Sequence, residues 1–292
     1  MSPPVFFALP GNQEMATRLA SACGGELGGL EVSRFPDAES HLRFAQAIAG
    51  RSIVLVCSLP HPDTKIPALL FAADAARDLG ARRVGLVAPY LCYMRQDRRF
   101  VDGEAVTSKS FAALISRAFD WLATVEPHLH RYKTLDEIYS IPSRVVHAGP
   151  AIAAWILKNV SRPMIIGPDE ESRQWVSAVA HDCDAPFLVL SKQRMGDRSV
   201  SITAPAIPLE PGRTPLFLDD IIASGVTMRQ AIQSTAPASG PIVLGVHGPL
   251  VAGAAQSILS AGARLVTCNT IPNEFAAIDV SEIIAKTVAD ML

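Results

Sequence analysis

The stretch FLDDIIASGVTM, Phe217 to Met228, ends an apolar run on two adjacent carboxylates and then thins to small residues. Acids are seldom buried without partners, and neighbours in sequence repel unless a ligand, a metal or hydrogen bonds compensate. Asp219 and Asp220 therefore offer acceptors suited to sugar hydroxyls. Ser224 and Gly225 permit a sharp turn whose amide N–H groups face an anion. Thr227 is placed to cap the next helix, whose N-terminus favours negative charge by about 0.3–1 kcal/mol. This chemistry is that of a sugar-phosphate cradle. A surface turn with two solvated acids uses the same residue types, and turn chemistry alone does not separate the two.

Four further stretches carry reactive side chains. Ser33–Phe44 places Phe35, Asp37 and Glu39 on an irregular, Pro-containing segment; its plain alternative is an exposed turn leading into an edge strand. Pro89–Phe100 carries Arg95, Gln96, Asp97, Arg98 and Arg99 in one short reach. Guanidinium forks match phosphate oxygens, and Tyr90, Tyr93 and Phe100 offer faces for a base. Val125–Tyr132 holds His128 and His130, a spacing compatible with a metal beside a carboxylate but not diagnostic of one. Val189–Ile202 follows a strand with Lys192 and Arg194, then Met195, Gly196 and Asp197. That segment is either a lid bringing cations onto a reacting phosphate or a charged hairpin tip.

Short apolar runs alternating with amphipathic stretches must position these residues. Strands are expected at Val5–Ala8, Ser52–Cys57, Arg83–Ala88, Trp121–Val125, Met164–Gly167, Phe187–Leu190, Leu216–Leu218, Ile242–Val246 and Arg264–Cys268. Helices are expected at Gln13–Ala22, Ile66–Leu79, Ser108–Ala118, Ser172–Ala180, Thr227–Thr235 and Gly253–Ala261. The alternation predicts an α/β fold with mainly parallel sheets, whose ligands sit outside the carboxyl ends of the strands. The 292 residues, 49% hydrophobic and 18% charged, suffice for two cores. The halves echo each other faintly: Gly50-Arg51 and Gly212-Arg213 each open a strand, and Gly80 and Gly262 each end a helix before one. Two similar domains are expected, residues 1–147 and 148–279, joined near His147–Ala151. An amphipathic segment, 280–292, is expected to pack back on the first.

The formal net charge of −2 argues against a nucleic-acid or membrane-surface partner, so any anion must be held by local groups. The first residues lack the features of a signal peptide, and no apolar run reaches the roughly 18 residues that span a bilayer. The five scattered cysteines form no CxxC pair and read as buried thiols of a cytoplasmic protein.

Taken together and in this order, SRFPDAE, PYLCYMRQDRR, VEPHLHRY, IIGPDEES, the Lys192–Arg194 stretch and FLDDIIASGVT resemble the ribose-phosphate pyrophosphokinase family. The Arg-Gln-Asp-Arg segment belongs to that branch and not to ordinary phosphoribosyltransferases. The resemblance implies two phosphoribosyltransferase-like domains, each a mainly parallel sheet flanked by helices. It implies transfer of the β,γ-diphosphoryl group of ATP to ribose 5-phosphate, with Mg²⁺, in a dimer-based homo-oligomer. By the same resemblance, Phe35, Asp37 and Glu39 meet adenine from a neighbouring subunit, and Arg95 and Gln96 bind ATP within the subunit. His128 and Asp169 are the metal ligands, and Lys192 and Arg194 the catalytic pair, with Arg194 also near the sugar phosphate. Asp219 and Asp220 hold the ribose, and Ala223, Ser224, Gly225, Val226 and Thr227 wrap the 5-phosphate. Three departures stand out: Ala223 where a polar residue is usual, Val226 where a second Gly is common, and Glu170-Glu171 where the family carries glycine. Two acids there are expected to repel polyphosphate unless they recruit Mg²⁺ or face solvent. A phosphoribosyltransferase, or a non-catalytic homologue, is the rival implied by these substitutions and by the shared fold.

Overall fold

The computed structural model describes residues 2–194, 200–203, 212–236 and 240–292. The chain divides into two units, Met1–His147 with Ser281–Leu292, and Ala148–Val280. In the first, strand β1 (Val5–Ala8) leads through helix α1 (Gln13–Ala22) to β2 (Glu26–Gly28), then to a separate ribbon of β3 (Leu30–Arg34) and β4 (Ser40–Phe44). β5 (Ser52–Val56), α2 (Ile66–Asp78), β6 (Arg83–Ala88), α3 (Thr107–Ala118), β7 (Trp121–Val125) and β8 (Ser143–Val146) follow. The six-stranded sheet has the order β2-β1-β5-β6-β7-β8 and is parallel throughout. β5 and β7 are buried at every position, as strands covered by helices on both faces must be.

The helices bury one stripe each. α1 turns in Met15, Ala16, Leu19 and Ala20; α2 turns in Ala68, Leu69, Ala72, Ala73 and Ala76; α3 turns in Phe111, Ala112 and Ile115. The small alanines of α2 let that helix lie close to the sheet. The last helix, α8 (Ser281–Ala289), buries Ile284, Ala285 and Val288 against α1, β7 and β8. The Cys23 thiol donates to Ala285 O at 3.5 Å, and Arg83 donates to Met291 O at 2.6 Å, so the chain terminus is part of the first unit.

The second unit repeats the plan. α4 (Gly149–Asn159) precedes β9 (Pro163–Gly167), α5 (Arg173–Asp182) and β10 (Phe187–Val189). A second ribbon of β11 (Ser191–Arg194) and β12 (Val200–Thr203) comes next. β13 (Thr214–Ile221), α6 (Val226–Thr235), β14 (Ile242–His247), α7 (Ala254–Leu259), β15 (Arg264–Cys268) and β16 (Ala276–Ile278) complete it. Its parallel sheet has the order β10-β9-β13-β14-β15-β16. Counted from the first strand of each sheet, both units read 2-1-3-4-5-6, and each inserts its antiparallel ribbon between the second strand and the third. The chain leaves the first and third strands of such a sheet in opposite directions. That reversal opens a crevice at their carboxyl ends.

Several elements differ from the sequence expectation. The acid-bearing strand does not stop at Leu218; pairing with β14 carries β13 on through Asp219 to Ile221. The Pro-containing segment Ser33–Phe44 does run through an exposed turn into an edge strand, but that strand belongs to a separate two-stranded ribbon. The flanks of the turn pair with each other as β3 and β4, from Leu30↔Phe44 to Arg34↔Ser40. The expected junction near His147–Ala151 already contains the start of α4, because Pro150 suits the first turn of a helix. Among the described residues, no helix is long and apolar enough to cross a membrane.

Gly85 of β6 lies opposite Trp121 of β7, and a Cβ there would sit 1.9 Å from the buried indole. Gly85→Ala is expected to cost about 1–3 kcal/mol through overpacking, read as a lower urea midpoint at unchanged slope. An unshifted midpoint would mean that the indole has room to move.

Candidate active site

In the second unit, β9 and β13 are direct neighbours in register, with Ile166 beside Phe217, so their carboxyl ends emerge together. Asp169 follows one, and Asp219 and Asp220 finish the other. The backbone N–H of Asp220 donates to Asp219 Oδ1 at 3.0 Å. The Asp219 carboxyl is pushed well above the usual carboxylate range, first by burial and then by the charges of Asp220 and Asp169. Three acids held this close strongly favour a cation or a set of hydroxyl donors between them.

The next loop is fixed from behind by the segment after β14. Ile222 N–H donates to His247 O at 2.9 Å, and Val251 N–H donates to Ala223 O at 3.0 Å. Gly225 then takes φ +72°, and a Cβ on it would meet Ala254 O at 2.9 Å, so glycine is required twice over. The helix begins one residue earlier than expected. Gly225 is the N-cap and Thr227 lies inside the first turn, without a side-chain capping bond. A helix supplies no acceptors of its own to its first N–H groups, here those of Val226, Thr227 and Met228. Val226 N–H lies 3.4 Å from Ser224 Oγ. Val226 itself points outward, 42% exposed, so its side chain does not fill the turn.

The supporting layer was not legible beforehand. His247 is buried, with Nδ1 2.9 Å from Thr270 Oγ1, and that hydroxyl donates on to Val246 O at 2.8 Å. A histidine at the end of an apolar strand was the available signal. Its backbone carbonyl holds the loop at Ile222.

At the end of β9, Asp169 opens a tight turn, and Ser172 Oγ donates to its carbonyl at 2.6 Å. Glu170 is exposed and accepts from Arg173 Nη2 at 2.9 Å, a pairing that holds its carboxyl below the usual range. The repulsion expected from Glu170 is thus answered by a guanidinium one turn away. Leu190 N–H donates to Gly167 O at 2.9 Å, so the β11–β12 ribbon departs beside the same strand end. Lys192 and Arg194 stand on β11 opposite Ile202 and Val200. Met195, Gly196 and Asp197 lie outside the described residues.

In the first unit, Phe35, Asp37 and Glu39 form the exposed tip of the β3–β4 ribbon. Phe35 and Glu39 close it (Phe35 N–H to Glu39 O, 2.9 Å), and Asp37 Oδ1 accepts from Glu39 N–H at 3.2 Å. Phe35 is 51% exposed and meets His41 edge-on at 5.4 Å. Arg34 ties the ribbon to the turn before α2 by donating to Thr64 O at 3.3 Å.

The loops after β6 and β7 share an edge because those strands pair. Arg95 is exposed. Gln96 accepts from Thr107 Oγ1 at 3.3 Å through its side chain and from Ser108 N–H through its backbone. Asp97, by contrast, is buried and receives Arg131 Nη1 on both oxygens at 2.9 Å, which makes it a brace. Arg98 and Arg131 lie over the Phe100 ring at 4.9 and 5.5 Å. Sequence reading missed Arg131, whose signal was its place directly after His130. Tyr93 bonds Asp63, with its hydroxyl pushed up to about 12 chiefly by burial, so that hydroxyl is committed to the protein. His128 is half-buried and His130 exposed beside it, Nε2 of His130 lying 2.9 Å from Nδ1 of His128.

Residues 5–118 match the N-terminal domain of ribose phosphate pyrophosphokinase, and residues 134–240 match the phosphoribosyl transferase domain. The ribose-phosphate pyrophosphokinase of Methanopyrus kandleri is 30% identical over 95% of this chain and 96% of its own. That of Sulfolobus acidocaldarius is 32% identical over 93% and 95%. The crystal structure of phosphoribosylpyrophosphate synthetase from Mycobacterium smegmatis superposes with a TM-score of 0.84 at 21% identity, covering 99% of both chains, which establishes the shared fold. On sequence similarity over nearly its whole length, the chain belongs to the ribose-phosphate pyrophosphokinase family.

Proposed function

We propose that this protein transfers the β,γ-diphosphoryl group of ATP to the anomeric hydroxyl of ribose 5-phosphate, giving 5-phosphoribosyl 1-pyrophosphate and AMP. The observation that carries this is the acidic edge of the second unit, where Asp169, Asp219 and Asp220 converge beside a glycine-turned helix N-terminus. Asp219 and Asp220 accept the ribose hydroxyls. The amides of the Ala223–Thr227 loop receive the 5-phosphate, so Ala223 and Val226 contribute backbone where the family often has a polar residue and a glycine.

The reaction forms a bond from the sugar O1 to Pβ as the bond from Pβ to the bridging oxygen breaks, and AMP keeps that oxygen. Positioning and charge neutralisation dominate such a transfer. Lys192 and Arg194 supply cations to the phosphoryl oxygens from the ribbon beside β9. Arg95 and Gln96 hold ATP, while Phe35, Asp37 and Glu39 reach adenine from the tip of a neighbouring subunit's ribbon, in a dimer-based assembly. The three carboxylates of the acidic edge offer hard oxygen donors that fit Mg²⁺; Asp169 would hold it near the ribose, and His128 would be the ligand of the cation on ATP. When bound, that cation neutralises charge on the polyphosphate. The domain boundaries that serve this division are 1–147 for the ATP side and 148–279 for the sugar, with 280–292 returning to the first.

Incubation with ATP, Mg²⁺ and ribose 5-phosphate is expected to form AMP only when the sugar is present; sugar-independent AMP or none would overturn the assignment. Lys192→Ala is expected to lower turnover about 10³-fold or more while ATP binding by calorimetry stays nearly intact. Glu171→Gly is expected to leave turnover unreduced, since a collapse would show that acid recruited to a metal. Asp220→Asn should weaken sugar binding yet stabilise the ligand-free protein. Relief on the order of 1 kcal/mol raises a thermal midpoint by about 2–4 °C. Finally, Phe35→Ala and Arg95→Ala subunits, each inactive alone, should regain part of the activity when mixed and reassembled. Failure of mixing to restore any would place the ribbon tip in its own subunit's site.

A further inference from the structure

The loop after β6 is tied down at two points. Asp97 is held through its buried carboxylate by Arg131 and through its carbonyl by the Tyr132 hydroxyl, which donates at 3.1 Å. Further on, Glu104 Oε2 accepts the N–H groups of Phe100 and Val101 at 2.8 and 3.1 Å. Between these anchors the chain displays an aromatic side chain, with Phe100 53% exposed. Apolar surface gains free energy by leaving water, so a ring that fixed backbone keeps outside needs another partner.

That partner is positive charge. The Arg98 guanidinium lies 4.9 Å from the ring centroid and that of Arg131 lies 5.5 Å away, both inside the roughly 6 Å over which a ring attracts a cation. The two cations differ in what their donors do. Arg131 commits Nη1 to both oxygens of Asp97 at 2.9 Å. Among the described residues, no carboxylate or carbonyl takes the N–H groups of Arg98. Attraction to a ring acts on the flat face of a guanidinium and leaves its N–H edge open, whereas a carboxylate would close that edge. The edge is the part that grips phosphate oxygens in pairs. An aromatic neighbour therefore restrains a long side chain without consuming its donors, and lowers the entropy lost when a ligand orders it.

We propose that Phe100 is a positioning residue for ATP: its ring, fixed by Glu104 and flanked by the Asp97–Arg131 pair, orders the Arg98 guanidinium in advance for the polyphosphate. This rests on the assignment of ATP to the loop after β6, and it adds Arg98 to Arg95 as a group that meets phosphate. The ring acts on the cation and not on the base. Its contribution is therefore the same for any ligand that carries a triphosphate chain.

The test is calorimetric titration of the full chain, with Mg²⁺ and without sugar, by ATP and separately by inorganic tripolyphosphate. Arg98→Ala is expected to weaken both ligands about 10-fold or more. Phe100→Leu should weaken both alike, by about 2- to 5-fold, and Phe100→Tyr should restore the wild-type affinity. In the Arg98→Ala background, Phe100→Leu should have no further effect, a coupling that a ring serving only the loop's shape would not show. Unchanged affinity in Phe100→Leu, or additive losses in the double variant, would overturn the proposal. A loss confined to ATP would overturn it as well, and would make the ring a stacking surface for adenine. Neither sugar nor turnover enters these titrations, so sugar-dependent AMP formation by the wild type judges the assigned reaction on its own.

Discussion

The constraint on which the second unit's chemistry depends is the enforced closeness of three carboxylates at one strand edge. Parallel pairing of β9 with β13 places Asp169 against Asp219 and Asp220, and the apolar strands behind them keep water from screening their repulsion. That repulsion destabilises the empty protein. It is compensated when hydroxyl donors or cations enter, so ligand affinity and apo stability are opposed at the same atoms. The rise in the Asp219 pKa is the local sign of this tension.

Around that edge, the fold supplies what the acids cannot. Gly225 turns the chain under the Ala254 carbonyl, and the loop after β14 holds Ile222 and Ala223 by their backbones. The loop's shape thus comes from main-chain contacts, which is why Ala223 and Val226 are tolerated in it. Arg173 performs a related service at Glu170, drawing a negative charge into an exposed ion pair. Such a pair contributes little to stability, yet it reduces the charge that an incoming phosphate meets.

The first unit uses the same topology for different ends. Its carboxyl edge carries cations and imidazoles where the second carries acids, and its ribbon displays an exposed Phe35 where the other bears Lys192 and Arg194. A repeated order of strands therefore hosts two complementary surfaces, with loop composition setting the chemistry. Asp97 and Arg131 show the cost of packing so many cations on one edge. One acid is spent internally, nearly buried, to anchor a guanidinium between the two loops.

Much of this could be read from the chain alone. Alternating apolar runs located β1, β6, β7 and β15 to the residue, because a strand buried on both faces has few ways to be written. The acids of FLDDIIASGVT and the order of the six motifs pointed to the family, since their side-chain chemistry is local and carried in the letters themselves. Pairing is not local. Nothing in Leu218 says that β14 will draw β13 on to Ile221, that the flanks of a Pro-containing stretch will pair with each other as a ribbon, or that Arg131 will reach back to Asp97. Nor does spacing tell whether His128 and His130 meet, because that depends on two strained φ angles. Residue type and order determined what chemistry was available; long-range contacts alone decided which groups were brought within reach of one another.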